Sequence, residues 1–150
     1  MSEELFTNKT TIEFDTYYIV EKTKSGNSVV RLIKEEEAIK ILANEDAKVK
    51  EKVKKFRTWW KLQGWEANNK TIAQATVYNQ FKGENEVDPF KYRDARLKNL
   101  LLRWDLKTKE GNEVPLSVDA INSMQTNIAS ALLDKYDELT SVDSEEQAKN

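Results

Sequence analysis

The sequence predicts an α+β fold that is mostly α-helical, with one N-terminal β-hairpin packed on the helices. Period-two alternation is confined to residues 10–34, while apolar residues recur at three- and four-residue spacing through most of 35–139. The composition agrees: 39% hydrophobic and 33% charged residues in a chain of 150 describe a solvated, helix-leaning protein with core enough for one domain. The expected organisation is a single domain over 1–140, followed by a disordered acidic tail over 141–150.

The hairpin spans 10–34. Ile12, Phe14, Tyr18 and Val20 share one face, with Tyr17 and Ile19 opposite. Lys24-Ser25-Gly26-Asn27 makes the turn, and Val29-Val30-Arg31-Leu32-Ile33 is the return strand. Two strands alone are marginal in water, so the hairpin must lie on the helices or pair with another chain. Residues 35–42 form a short helix whose first turn, Glu35-Glu36-Glu37, suits the helix dipole. Asn44-Glu45-Asp46 breaks and recaps it. The clearest helix of the first half is expected over 47–62, where Val49, Val53, Phe56 and Trp60 step by 4, 3 and 4 along one stripe.

Gly64 ends that helix, and a further helix is expected over 65–81, with Ile72, Ala75 or Thr76, and Tyr78-Asn79 at loose helical spacing. After a loop at 82–86, Asp88 N-caps a helix with Pro89 at its first position, where the missing N–H costs nothing. Phe90, Leu97, Leu101 and Trp104 carry its apolar side. Gly111 centres a solvated turn, Val114-Pro115-Leu116-Ser117 leads into a short helix over 117–124, and Thr126 caps a last helix through Leu139 on Ile128, Leu132 and Tyr136. Phe56, Trp60, Leu97, Leu101, Trp104, Ile128 and Leu132 are the expected core, buried and in mutual contact.

Several chemistries are excluded by residues the chain lacks. With no cysteine there is no disulfide, thiolate metal site or thiol nucleophile. With no histidine, the commonest general base near neutral pH and the commonest zinc ligand are missing too. The glycines Gly26, Gly64, Gly83 and Gly111 are isolated, so no phosphate-cradling loop is present. The carboxylate groupings Glu35-Glu36-Glu37 and Asp134, Asp137, Glu138 lack the spacing of a calcium loop. The expectation is a protein that is not an enzyme, with no cofactor and no metal. A net charge of −2 demands neither nucleic acid nor membrane, and no apolar run reaches the length of a signal or spanning segment. A soluble, cytoplasmic protein is expected.

One stretch stands out against that even charge. Residues 48–61 hold seven bases (Lys48, Lys50, Lys52, Lys54, Lys55, Arg57, Lys61) against Glu51, a local net of 7 − 1 = +6. Bases interleaved with aromatics suit a phosphate-tracking surface, an acidic protein partner, or the solvated back of an amphipathic helix. Trp59, Trp60 and Trp65 cluster here. On a helix, neighbours 59 and 60 diverge by about 100°, so Trp59 either covers the hairpin or anchors another protein. Trp59, Trp65, Lys54 and Lys55 are the candidate partner-binding residues.

Tyr92-Arg93-Asp94-Ala95-Arg96-Leu97-Lys98, Leu101-Leu102-Arg103-Trp104-Asp105-Leu106, Gly111-Asn112-Glu113-Val114-Pro115-Leu116-Ser117, Ile121 and Ile128-Ala129-Ser130-Ala131-Leu132-Leu133 follow one another in a telling order. Over 88–139 that order resembles small tailed-bacteriophage proteins described as tail assembly chaperones. In these a helix ends in a W-[DN]-[LF] step, a G-x-x-[VL]-P-[LV]-[ST] loop follows, and an I-A-x-A-L helix closes the domain. Relatives often carry a proline before the last helix, where this chain has Met124-Gln125-Thr126.

The resemblance brings no catalytic residue. It implies binding of the tape-measure protein or tail-tube subunits in the cytoplasm of an infected bacterial host. A structural virion component at the head or neck is the alternative. A nucleic-acid-binding accessory using a basic helix at 48–61 is the third reading, disfavoured by the slightly acidic overall charge. Self-association through an edge of the hairpin is a further expectation.

Overall fold

A computed structural model describes residues 10–44, 46, 53–108 and 110–141. Of these, 41% are helical and 33% lie in strands, with one four-stranded antiparallel sheet. The expectation of a mostly helical protein carrying one hairpin is therefore corrected: the fold is a balanced mixture of helix and sheet. The chain forms two compact units, one from 1–64 with 100–116 and the other from 65–99 with 117–150.

The first unit is built on β1 (Thr11–Lys22), β2 (Ser28–Ile33), β3 (Val53–Lys61) and β6 (Leu101–Trp104), in the order β2-β1-β3-β6. The β1–β2 hairpin has the expected turn. Gly26 sits at φ +86°, a left-handed geometry that glycine adopts without steric cost, and Thr23 N–H closes the loop on the Asn27 carbonyl at 2.8 Å. Helix α1 (Glu35–Leu42) follows directly and packs on the sheet with Ala38 fully buried. The break expected at Asn44-Glu45-Asp46 falls partly outside the described residues.

The largest correction concerns 47–62. Residues 53–61 are a strand, not a helix, paired with β1 from Ile19↔Val53 to Thr11↔Lys61. Residues 47–52 lie outside the described residues. On this strand Phe56, Thr58 and Trp60 face inward and are all buried, while Lys55, Arg57, Trp59 and Lys61 alternate to the other face. Trp60 is fully buried, stacked on Phe14 with centroids 5.8 Å apart, and its indole N–H donates to the Thr58 hydroxyl at 2.7 Å. That bond explains a threonine in the core: the buried hydroxyl has a partner.

The second correction concerns Leu101–Trp104, which is also a strand. Thr58 pairs with Trp104, Trp59 with Arg103 and Trp60 with Leu101, so a bulge at Trp59/Trp60 inserts one extra residue. Leu101 and Trp104 thereby both face the core three positions apart. After β6, Asp105 prolongs the pairing: its carboxylate accepts from Arg57 N–H at 2.7 Å, and its own N–H donates to the Arg57 carbonyl at 3.1 Å. The chain then turns at Gly111 and returns, with Val114 N–H on the Leu106 carbonyl at 2.7 Å and a bridge between Lys107 and Glu113. Trp104 donates its indole N–H to the Val114 carbonyl at 2.7 Å. The Trp-Asp-Leu step and the Val-Pro-Leu-Ser loop are thus tied together through Trp104, at a strand end where the resembled pattern has a helix end.

The second unit begins with α2 (Trp65–Ala75), which stops short of the expected 65–81. The chain continues into a two-stranded hairpin, β4 (Thr76–Asn79) and β5 (Glu84–Val87), where a helix tail and a loop were expected. Helix α3 (Pro89–Leu100) starts as predicted, with the Asp88 carboxylate accepting from Phe90 N–H at 2.9 Å and Lys91 N–H at 3.2 Å. Ser117 caps α4 (Val118–Asn122) through Ala120 N–H at 3.1 Å. The last helix, α5 (Thr126–Thr140), buries Leu132, Leu133 and Tyr136; its N-cap is Gln125 rather than Thr126.

Six of the seven expected core residues are buried and Ile128 is half-buried. They are shared out, with Phe56, Trp60, Leu101 and Trp104 in the first unit and Leu97, Ile128 and Leu132 in the second. Phe90, expected on the apolar side of its helix, is exposed. Apart from Ser141, the tail expected over 141–150 lies outside the described residues. Among the described residues, no helix is long and apolar enough to cross a membrane.

Candidate protein-binding surfaces

In the first unit the candidate surface is the face of the sheet opposite Phe56 and Trp60. It carries Glu13, Asp15 and Glu21 on β1, Arg31 on β2, Lys55, Arg57 and Trp59 on β3, and Arg103 on β6. The three arginines are all paired with carboxylates. Arg31 meets Glu21 at 3.0 Å and Glu37 of α1 at 3.8 Å; Arg57 meets Asp15 at 2.8 Å and Glu13 at 3.8 Å; Arg103 meets Glu113 at 3.7 Å. Trp59 lies half-buried under the Arg103 guanidinium, 4.6 Å from its ring centroid, which makes it a packed element of this face.

The hydrogen bond from Arg57 holds the Asp15 carboxyl below the usual aspartate range; partial burial works against this, and the positive charges of Arg57 and Lys55 add to it. A carboxyl whose pKa is lowered on folding stabilises the protein above its unfolded value, about 3.9. That contribution is lost as pH falls through the lower folded value. Urea midpoints of wild type and Asp15→Asn should therefore differ at about pH 6 and converge towards about pH 2. A gap that persists undiminished in acid would show that the Asp15 charge is not what Arg57 recognises.

Lys54 and Lys55 are both exposed but fall on opposite faces of the sheet, because neighbours on a strand alternate. Lys55 and Trp59 share a face, about 13 Å apart along β3. The basic helix expected at 48–61 is not formed over 53–61, and Arg57 is occupied by carboxylates. Lys48, Lys50 and Lys52 lie outside the described residues. The reading as a phosphate-tracking helix is corrected accordingly.

Trp65 belongs to the second unit, so the four candidate residues do not come from one surface element. It opens α2 and is 82% exposed. The same unit exposes Tyr78, Phe81, Val87 and Phe90, none of which is among the candidate partner-binding residues; Tyr78 and Phe90 were expected on apolar helix faces. Phe81 stands wholly in solvent in the β4–β5 turn. One sequence signal did mark this hairpin: residues 71–81 are eleven consecutive uncharged positions between Lys70 and Lys82.

Deeper in this unit lies an arginine the sequence gave no reason to single out. Arg96 is buried between the rings of Tyr92 and Tyr136, at 5.6 and 5.7 Å, and its guanidinium forks onto both carboxylate oxygens of Asp137. Burial disfavours its charge, but the Asp137 hydrogen bond and charge, with the two tyrosines, outweigh that and raise the pKa above the ordinary arginine value. Among the described residues, no group of three or more His, Cys, Asp or Glu side chains is placed to hold a metal ion. Comparison of the chain with models of known families, with curated proteins and with solved structures finds no match.

Proposed function

We propose that this protein works by stoichiometric binding and without turnover, as a phage tail assembly chaperone or accessory protein in the cytoplasm of an infected bacterium. Its partner on this reading is the tape-measure protein or a tail-tube subunit. The phage assignment rests on the order of motifs over 88–139. The binding role rests on one observation, the exposure of Trp65 at the head of α2. A tryptophan 82% open to water forgoes most of the burial free energy its ring offers, and tryptophan is enriched among residues that dominate interfaces. Phe90, 83% exposed at the head of α3, adds a second anchor of the same kind.

Co-expression tests this reading. The wild-type chain is expected to keep a tape-measure-like partner in the soluble fraction. Trp65→Ser with Phe90→Ser should cost about 2 kcal/mol of binding or more, roughly thirtyfold in Kd, while the circular dichroism of the free protein stays unchanged. Rescue that is indifferent to both substitutions would move the binding face elsewhere. Absence of rescue by wild type, together with recovery of the chain from purified virions, would favour a head or neck component.

A further inference from the structure

The β4–β5 hairpin forms a sheet of only two strands, and its two outer edges differ in kind. The β5 edge carries Glu84 and Glu86; the β4 edge, Thr76-Val77-Tyr78-Asn79, carries no charge, no proline and no bulge. Charge and proline are the usual devices that stop an exposed edge from accepting another strand, and β4 has neither. The backbone register shows which groups are available. Asp88 N–H donates to the Ala75 carbonyl at 2.9 Å, so by alternation the bonded pairs are Ala75–Asp88, Val77–Glu86 and Asn79–Glu84. Tyr78 and Asn85 are a non-bonded pair, and the N–H and C=O of Tyr78 point to the outer edge of β4.

We propose that β4 pairs antiparallel with β4 of a second copy of this chain, around a two-fold axis at Tyr78, to make a continuous sheet β5-β4-β4-β5. The charge pattern selects a second copy as the occupant. An antiparallel two-fold contact sets each residue of the edge against the same short segment, and the uncharged run 71–81 brings no like charges together. The equivalent contact through β5 would set glutamates against glutamates. Centred on Tyr78, the pairing exchanges two hydrogen bonds between the Tyr78 residues. It also sets Val77 of each chain opposite Asn79 of the other, so the paired segment stays within the uncharged strand. This inference is independent of the chaperone reading: a monomer could still bind a tail protein, and a dimer could fail to.

Sedimentation velocity on the full chain tests it. The wild type should shift from monomer to dimer as concentration rises to the order of 100 µM, the range expected of a small interface. Tyr78→Lys, which puts a charge on an exposed edge position, should remove the dimer. Asn85→Lys, the same charge on the other strand of the hairpin, should leave it intact. Because the protein has no cysteine, Tyr78→Cys gives a second, independent readout. It should form an intermolecular disulfide under mild oxidation, since the bonded pair of an antiparallel ladder holds its Cα atoms about 5.5 Å apart; Asn85→Cys should not. A wild type that stays monomeric, a Tyr78→Lys dimer of wild-type strength, equal loss in Asn85→Lys, or cross-linking at 85 instead of 78 would each overturn the proposal.

Discussion

Replacing Trp60 with alanine is expected to lower the unfolding free energy by about 3–5 kcal/mol, a large share of the 5–15 kcal/mol typical of a domain. The size follows from three losses at one position. The indole is fully buried, so its apolar area returns nothing once truncated; the ring stacked on Phe14 disappears; and the Thr58 hydroxyl is left in the core without its donor. Trp60→Phe separates these terms, because it keeps a ring against Phe14 while removing the indole N–H and only part of the ring volume. It should cost less, about 1–3 kcal/mol, the penalty of an unsatisfied buried group with a small cavity added. Urea unfolding followed by far-ultraviolet circular dichroism measures both. If alanine costs no more than phenylalanine, the stack on Phe14 contributes nothing and the core of the sheet lies elsewhere.

The second expected result is an asymmetry between two ends of one ion pair. Asp137→Asn removes the charge that offsets a buried guanidinium, leaving Arg96 between two tyrosine rings with its Nε also lacking a hydrogen-bond partner among the described residues. The loss should be about 1–3 kcal/mol, less than for a fully buried pair because the Asp137 side chain is itself half in water. Arg96→Met removes the cation instead of its partner. An apolar chain of similar length needs no counter-charge, so the cost should stay within about 1 kcal/mol. Thermal or urea unfolding of both variants reads the difference. Equal losses would mean that Arg96 stabilises this unit through its contacts with the rings and not through its charge balance.

What was legible in the sequence, and what was not, follows from the arithmetic of spacing. The first hairpin was legible because Ile12, Phe14, Tyr18 and Val20 fit period two and no other period, and Gly26 fits its turn. The starts of α3 and α4 were legible because Asp88 and Ser117 are caps, a local signal that needs no tertiary context. β3 was misread because Phe56 and Trp60 are four apart, a spacing that belongs to both a helix stripe and a strand face. The residue between them that settles the matter, Thr58, is polar and so broke the alternation; its indole partner is visible only in the fold. β6 was misread for a different reason. The bulge puts Leu101 and Trp104 on one face at a separation of three, which imitates one helical turn.

The candidate site divides in the same way. Trp65 reads as a candidate from composition and is exposed, whereas Trp59, equally prominent in sequence, is packed under Arg103. No pattern along the chain announces that Arg103 will lie over that ring. Arg96 was equally invisible, because its partner Asp137 is 41 residues away on another helix.

The bulged strand also sets a schedule. β3 is complete once Lys61 is made, but the strand that pairs with its far side ends at Trp104, after the chain has passed through α2, β4, β5 and α3. At a translation rate of about 5–20 residues per second, the 104 − 61 = 43 intervening residues take about 2–9 s to polymerise. Throughout that interval a nascent chain holds β1, β2 and β3 with one flank of β3 unmatched, and with Trp60 lacking the leucine that pairs with it in the finished fold. The order of synthesis thus makes the window in which this protein is most open to the wrong neighbour a property of its topology, set by the number of residues inserted between β3 and β6.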